Sequence, residues 1–374
     1  MKKHILRIAA AALVAAMAVT SLASCKMKAF DGDLRERYDY DDLTEYIKPG
    51  KYKGLKVYTG DTSVKKSEVE RSILRNRSYY PAEFWEDVPA DTPAEFGNIV
   101  GLKYQGYLDG EPLKDMSNQK EEGFSIVLGT QMIFVGVDDQ VIGMKAGETK
   151  TVELTVPEPC YEYPMYAGRT VKLDLEATYI QSAVYAEYND EFVSSNFGVA
   201  TVEDFEGEIT KNLNDKRSEE VENYVKTRAL MQIEENFELK KCPEKEYNEV
   251  YDSLIANAEA EAKEKGQTLA EYAADNGMTE DELYSQAKQK AEQIVFEEMI
   301  FYFIARKEQI ALTDAAFDEK AEELAADNNL NGVDEYVSFM YYYYGYSNYG
   351  VHEQVWYSLV YDFIVDSTVR TETK

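Results

Sequence analysis

Histidine is nearly missing from this chain of 374 residues, which holds only His4 and His352, and cysteine is confined to Cys25, Cys160 and Cys242. Zinc sites are assembled from clustered His and Cys, and nucleophilic pairs and triads need a histidine base within reach; no spacing here supports either. Glycine-rich phosphate loops are missing too. Any catalysis is therefore expected to run without metal, cofactor, nucleotide or covalent intermediate. Cations are scarce as well: 40 Lys and Arg against 70 Asp and Glu leave a formal charge of −30. A surface of that sign repels phosphate backbones, which excludes nucleic acid as a partner. Three cysteines make no disulfide framework, and Cys160 and Cys242 are left open as one bridge or two buried thiols. With 44% hydrophobic and 13% aromatic residues, the chain is nonetheless built to fold.

The N-terminus begins MKKHILR, which is basic, and continues through the apolar residues 8–19, IAAAALVAAMAV. That is the pattern of a secretory signal, with an apolar run shorter than the roughly 20 residues a spanning helix needs. The run ends in Leu22-Ala23-Ser24-Cys25, which resembles a bacterial lipobox. The likeness implies cleavage after residue 24 and lipidation of Cys25; ordinary signal cleavage with an unmodified cysteine is the alternative. Two acyl chains suffice for stable anchoring. Residues 1–24 are thus expected to be a signal peptide and 25–50, with DYDDL at 39–43, an acidic tether. The protein is expected on the extracytoplasmic side of the cell membrane, held by its lipid.

Beyond the tether, residues 51–92 predict a short strand at 56–58 and a linker helix over 67–80. Ser67 is placed to cap that helix, with Val69, Ile73 and Leu74 on one side, and Pro81, Pro89 and Pro93 interrupt the chain after it. Residues 93–182 alternate apolar and polar side chains as half-buried strands do, with Asp109-Gly110 as a hairpin signal. From 183 to 374 helical spacing takes over: Phe205, Ile209 and Leu213, then Val221, Val225 and Ile233. Pro243 fits the first turn of a helix with Tyr247, Val250, Tyr251, Leu254, Ile255 and Ala258 on its apolar face. Thr279-x-x-Glu282 is a capping box for a helix reaching about Lys307, and Thr313 is placed to cap the next. The fold class read from this is α+β: an antiparallel sheet segment, then an elongated all-helical one.

The β-rich order is GNIVGLKYQGYLDGEPL (97–113), FSIVLGTQMIFVGVDDQVIGMKAGET (124–149) and TVPEPCYEYPMYAGRTVKLDLEATYI (155–180). It resembles an FKBP-type peptidyl-prolyl isomerase domain, an antiparallel half-barrel around a short helix. Five motifs recur in order: Tyr104-Gln105-Gly106; Phe124 to Leu128-Gly129; Phe134-Val135-Gly136-Val137; Gly143-x-Lys145-x-Gly147-Glu148; and Pro157-Glu158 before Tyr161. The flanks NDEFVSSNFGVATVEDFEGEITKNL (189–213), GQTLAEY (266–272), GMTEDEL (277–283), ARKEQI (305–310) and GKYKGLKV (50–57) are similar to trigger factor, a bacterial chaperone. The resemblance implies a helical, trigger-factor-like chaperone domain after the FKBP-type one. The lipobox stands where a ribosome-docking domain would, so the expected partners are unfolded or nascent secreted polypeptides and X-Pro segments, with no ribosome.

By position the resemblance implies Tyr104, Phe124, Phe134 and Tyr161 as catalytic-pocket residues, Tyr161 as a donor to the substrate carbonyl and the Phe134 amide as a carbonyl holder. Ile133, Leu113, Val137 and Leu173 would complete an apolar substrate wall. Leu113, Val137 and Leu173 stand where the family has aromatics, and Lys114 where it often has an acid, with Asp115 adjacent. Those departures leave a prolyl isomerase and a holdase chaperone with a degenerate peptide-binding domain both open; plain core packing is the alternative for Leu113 and Leu173. A transporter's solute-binding lipoprotein is disfavoured because no alternating βα pattern is present. Near the C-terminus FMYYYYGYSNYG (339–350) reads as a helix–turn–helix, with Gly345 ending the first helix and Ser347-Asn348 in the bend. Tyr336, Met340 and Trp356 are expected to pack, and Tyr342, Tyr346 and Tyr349 to face clients, with helix-pair core as the alternative.

Overall fold

Tyr38, Leu43 and Ile47 are apolar side chains spaced through an acidic stretch, and all three are buried. The computed structural model describes residues 38–83, 85–182 and 184–373. These separate into two compact units, one of residues 38–55 with Ala229–Val369, the other of Lys56–Arg228 with 370–373. The acidic tether expected to reach residue 50 is therefore folded from Tyr38 onward. Asp42 caps the short 3-10 turn Leu43–Glu45, and strand β1 (Ile47–Lys48) follows. Tyr38 donates its hydroxyl to Glu298 at 2.5 Å, while Arg306 donates to the carbonyls of Tyr38 and Tyr40. Average acidity concealed the buried positions. Cys25, the expected site of lipidation, and the expected signal segment lie outside the described residues.

The unit 56–228 opens with β2 (Lys56–Tyr58) and α1 (Lys66–Ser78). Lys65, not Ser67, occupies the N-cap of α1, so the helix starts two residues earlier than the capping preference of serine suggested. Val69 and Ile73 pack against a cluster of Phe192, Val193, Phe205 and Ile209. The sheet has six antiparallel strands: β3 (Glu86–Asp87), β4 (Ile99–Leu108), β5 (Glu111–Asn118), β6 (Phe124–Val127), β7 (Thr149–Thr155) and β8 (Thr170–Ser182). Their order is β3-β8-β4-β5, with β6 on β4 and β7 on β8. Asp109 and Gly110 both adopt positive φ, 54° and 89°, the hairpin geometry that an Asp-Gly pair favours. Helix α2 (Val137–Val141) buries Val137 and Val141, and α3 (Asp190–Phe197) and α4 (Val202–Asn236) follow the sheet.

The other unit contains the end of α4 and strand β9 (Glu238–Leu239), which pairs with β1. Its helices are α5 (Glu244–Glu264), α6 (Leu269–Asp275), α7 (Glu280–Glu308), α8 (Asp314–Asp327), α9 (Val333–Tyr344) and α10 (Asn348–Asp366), before β10 (Val369–Thr371). Pro243 is the N-cap of α5, at the helix start where it was expected. The Thr279–Glu282 capping box is present at the start of α7, and Thr313 caps α8. The second half of α7 is buried almost all round, with Val295, Met299, Ile300, Tyr302 and Ile304 at 2% exposure or less. That is why its apolar residues outrun a single stripe. Among the described residues no helix is long and apolar enough to cross a membrane.

Candidate functional site

Sheet register collects the first half of the site. Leu102, Tyr104 and Gly106 share one face of β4, since alternate residues point the same way. Phe124 lies opposite Leu102, Leu175 opposite Tyr104, and Leu113 and Leu173 flank Gly106 from either side. Gly106 has no side chain, and Met116 comes within 3.0 Å of where a Cβ would stand. Leu113, Leu173 and Val137 are at most 1% exposed, so these three expected wall residues are packed core. Phe124 is half-buried.

The second half comes from two loops. Asp138, almost fully buried, accepts from the amides of Gly129 (2.7 Å) and Gln131 (3.0 Å) and so pins the turn that leads into Ile133 and Phe134. Burial pushes the Asp138 carboxyl above the usual range, against the pull of those amides. Ile133 and Phe134 are both buried, and among the described residues no hydrogen bond engages the Phe134 N–H. Tyr163, in the loop joining β7 to β8, meets the Phe134 ring edge-to-face at 6.1 Å. Its hydroxyl lies near that of Tyr104, and burial raises the pKa of both phenols. Each stays a protonated donor across the neutral range. Farther along the loop, Tyr166 donates to both oxygens of Asp115 at 2.6 and 2.8 Å.

Tyr161 goes elsewhere. Its hydroxyl donates to the Thr59 carbonyl at 2.7 Å, its ring stands edge-to-face on Tyr224 at 5.4 Å, and the Arg217 guanidinium lies 5.0 Å above it. Thus Tyr163, not Tyr161, is brought to Tyr104 and Phe134. The motif fixes one tyrosine in CYEYPMY; the other two offered a hint that spacing alone could not rank. Asp115 supplies an acid one position beyond Lys114. Burial pushes the Cys160 thiol up to about 12, and Cys160 and Cys242 are both free.

In the helical unit Gly345, at φ 68°, ends α9 and Ser347 caps α10 by accepting from Gly350 N–H. Tyr336 and Trp356 are buried and Met340 packs against the cluster formed by Phe317, Ala321, Val351 and Val355. Tyr342 is exposed, as expected, but Tyr346 packs against that same cluster and Tyr349 meets the Tyr302 hydroxyl at 3.3 Å. The outward tyrosines are Tyr341, Tyr342 and Tyr343, at 53%, 59% and 69% exposure. An open cavity of about 420 Å³ lies between α5 and α7, lined by Tyr251, Asp281, Tyr284, Ser285 and Lys288.

Two segments match known family models. Residues 90–172 match FKBP-type peptidyl-prolyl cis-trans isomerase, and 201–366 match the bacterial trigger factor protein C-terminus. Trigger factor of Caldicellulosiruptor bescii is 27% identical over 289 residues, covering 76% of this chain and 64% of that protein. Trigger factor of Geobacillus sp. (strain WCH70) is 30% identical over 285 residues, covering 76% and 65%. The chain spans just under two thirds of the length of these relatives. A chain from a solved structure on promiscuous substrate recognition by the trigger factor chaperone aligns at 19% identity and TM-score 0.36, over 86% of this chain and 71% of that one. A likeness at that level carries no argument. The two segment matches do: the chain is trigger-factor-like, with a sheet-rich FKBP-type domain followed by a helical trigger factor C-terminal domain.

Proposed function

We propose that this protein is an exported, lipid-anchored folding factor, a peptidyl-prolyl cis-trans isomerase whose helical unit holds unfolded polypeptides. The observation that carries the isomerase reading is the Tyr104–Phe134–Tyr163 group beside the unengaged Phe134 N–H. An amide owes its rotational barrier of roughly 18–20 kcal/mol to resonance that places negative charge on oxygen. The twisted transition state loses that resonance and is less polar along C–N. A water-poor aromatic site therefore binds it better than the planar ground state, which lowers the barrier by differential binding. In this reading the Phe134 N–H and the Tyr163 hydroxyl orient the substrate carbonyl, while Tyr104 and Phe134 face the prolyl ring. No nucleophile is consumed.

Export and anchoring rest on the basic and apolar N-terminus and on Cys25 in its lipobox context. Secreted, unfolded chains and their X-Pro segments are then the clients, met at the membrane and not at the ribosome. A second reading, a holdase without catalysis, is favoured by Leu113, Val137 and Leu173, which are aliphatic where the resemblance expects aromatics and are packed in the core. The chain carrying Cys25→Ser should accelerate a proline-limited refolding reaction in proportion to its concentration. Suppression of aggregation without that acceleration would sink the isomerase reading and leave the holdase one. Replacing Tyr341, Tyr342 and Tyr343 with serine should weaken aggregation suppression while leaving refolding acceleration and melting temperature unchanged, because these side chains are exposed.

A further inference from the structure

The loop that brings Tyr163 and Tyr166 to the site is gripped from its other side by one face of α4. Arg217, Val221, Tyr224 and Arg228 recur at helical spacing and so lie along that face. Arg228 donates one guanidinium nitrogen to the Pro164 carbonyl at 3.4 Å and another to the Glu158 carboxylate at 3.3 Å. Those two contacts bracket the stretch that holds Tyr161 and Tyr163. The ion pair is mostly shielded, with side-chain exposures of 22% and 24%, so solvent screens it less than a surface pair. Between its ends Tyr161 stands on Tyr224, which is 1% exposed, beneath Arg217, and Arg217 is itself paired with Glu68 and Glu220.

We infer that Arg228 is a positioning residue for the prolyl site: by holding Glu158 and the Pro164 carbonyl together it sets where Tyr163 and Tyr166 stand against Phe134, Tyr104 and Asp115. It touches no reacting atom. The planar, forked guanidinium suits this role, because it can reach a carbonyl and a carboxylate from one rigid group. The catalytic unit in this account includes a face of α4, a helix that lies beyond the sheet in sequence. The inference rests on the isomerase reading, and its test is arranged so that the two can fail separately.

In the full chain with Cys25→Ser, Arg228→Met removes both contacts while keeping a long side chain of similar helix propensity. Glu158→Gln removes the ion pair from the other side. Both should speed amide hydrogen exchange across 157–168 and leave exchange in β4 and β8 unchanged. Both should also lower kcat/KM on a prolyl peptide at least about fivefold, since small displacements of an orienting group are costly. The loss should fall on kcat more than KM, and Arg228→Lys should restore part of it. Unchanged exchange, or faster exchange with kcat/KM at the parent value, overturns the inference. So does a loss in Arg228→Met that Glu158→Gln does not share. Should the parent chain prove inactive, the isomerase reading falls, and the affinity for the prolyl peptide becomes the readout. Weaker binding by both variants then supports the positioning role, and unchanged binding overturns it.

Discussion

Tyr161 and Tyr163 sit two residues apart in one loop and serve opposite sides of it. Tyr163 belongs to the aromatic group with Phe134 and Tyr104, and Tyr161 ties the loop to the Thr59 carbonyl and to Tyr224. The motif that marks a tyrosine after Pro-Glu cannot tell which of them turns inward, because the intervening backbone bends rather than alternating as a strand does. The hydroxyls can be separated by experiment. Tyr163→Phe should lower kcat/KM for prolyl peptides about threefold to tenfold, less than loss of an oxyanion donor because little charge develops here. Its thermal stability should change little, since the ring stays in place. Tyr161→Phe keeps its ring on Tyr224 but strands the carbonyl of the buried Thr59, costing about 1 kcal/mol of stability. Its kcat/KM should remain at the parent value. Equal kinetic losses in the two variants, read beside their melting curves, would defeat this division of labour.

At the scale of elements, caps were the most legible signals. Thr279 with Glu282, Thr313 and Gly345 each mark a helix end because the stranded backbone groups there demand a particular partner or conformation. The facing of the tyrosines was less legible. In α9 the helical phase that buries Tyr336 turns Tyr341 and Tyr342 outward, whereas Tyr343, two turns after Tyr336 on the same face, is exposed near the end of the helix; the bend at Gly345 then resets the phase. Tyr346, in the turn, packs against the cluster, and Tyr349, in the first turn of α10, meets the Tyr302 hydroxyl. Contacts between elements distant in sequence were not legible at all. Glu234 of α4 and Glu297 of α7 hydrogen-bond each other, and burial first, then the charge of Glu297, pushes Glu234 up to about 8. Lys290 and Gln293 face the pair, and Glu235, Glu298 and Tyr361 lie near it. The folded state therefore holds this proton more tightly than the unfolded chain, where Glu234 titrates as an ordinary carboxyl. The pair's contribution is fully present at low pH and is lost as pH rises toward and through about 8. Melting temperature should fall over that range, on the order of 1–3 kcal/mol of stability, and Glu234→Gln should flatten the slope. An unchanged slope in the glutamine variant would assign the pH dependence to other groups.

Over the whole molecule, the sequence made the change from strand to helix near residue 183 readable, because period-2 and period-3.6 patterns differ sharply and each repeats over many residues. The pairing of residues 38–55 with the helices of Ala229–Val369 was not readable. It depends on a few anchors, Tyr38, Leu43 and Ile47, meeting partners such as Glu298 and Arg306 that lie far along the chain. This shortens the expected tether. Twelve residues separate Cys25 from Tyr38, so covalent geometry limits the reach from a lipidated Cys25 to the folded chain to at most ~45 Å. Under the proposed anchoring, clients would be met close to the membrane face, where newly exported chains emerge. Cys25→Ser should move the protein from the membrane pellet to the soluble fraction of the producing cells. Because Cys25 precedes every described residue, melting temperature, refolding acceleration and aggregation suppression of the released protein should match those of the detergent-extracted parent. Metabolic labelling with a fatty acid should mark the parent and not the variant. A Cys25→Ser protein that still sediments with membranes, or a parent that takes up no label, would remove the lipid anchor from the proposed function and leave the fold and the prolyl site untouched.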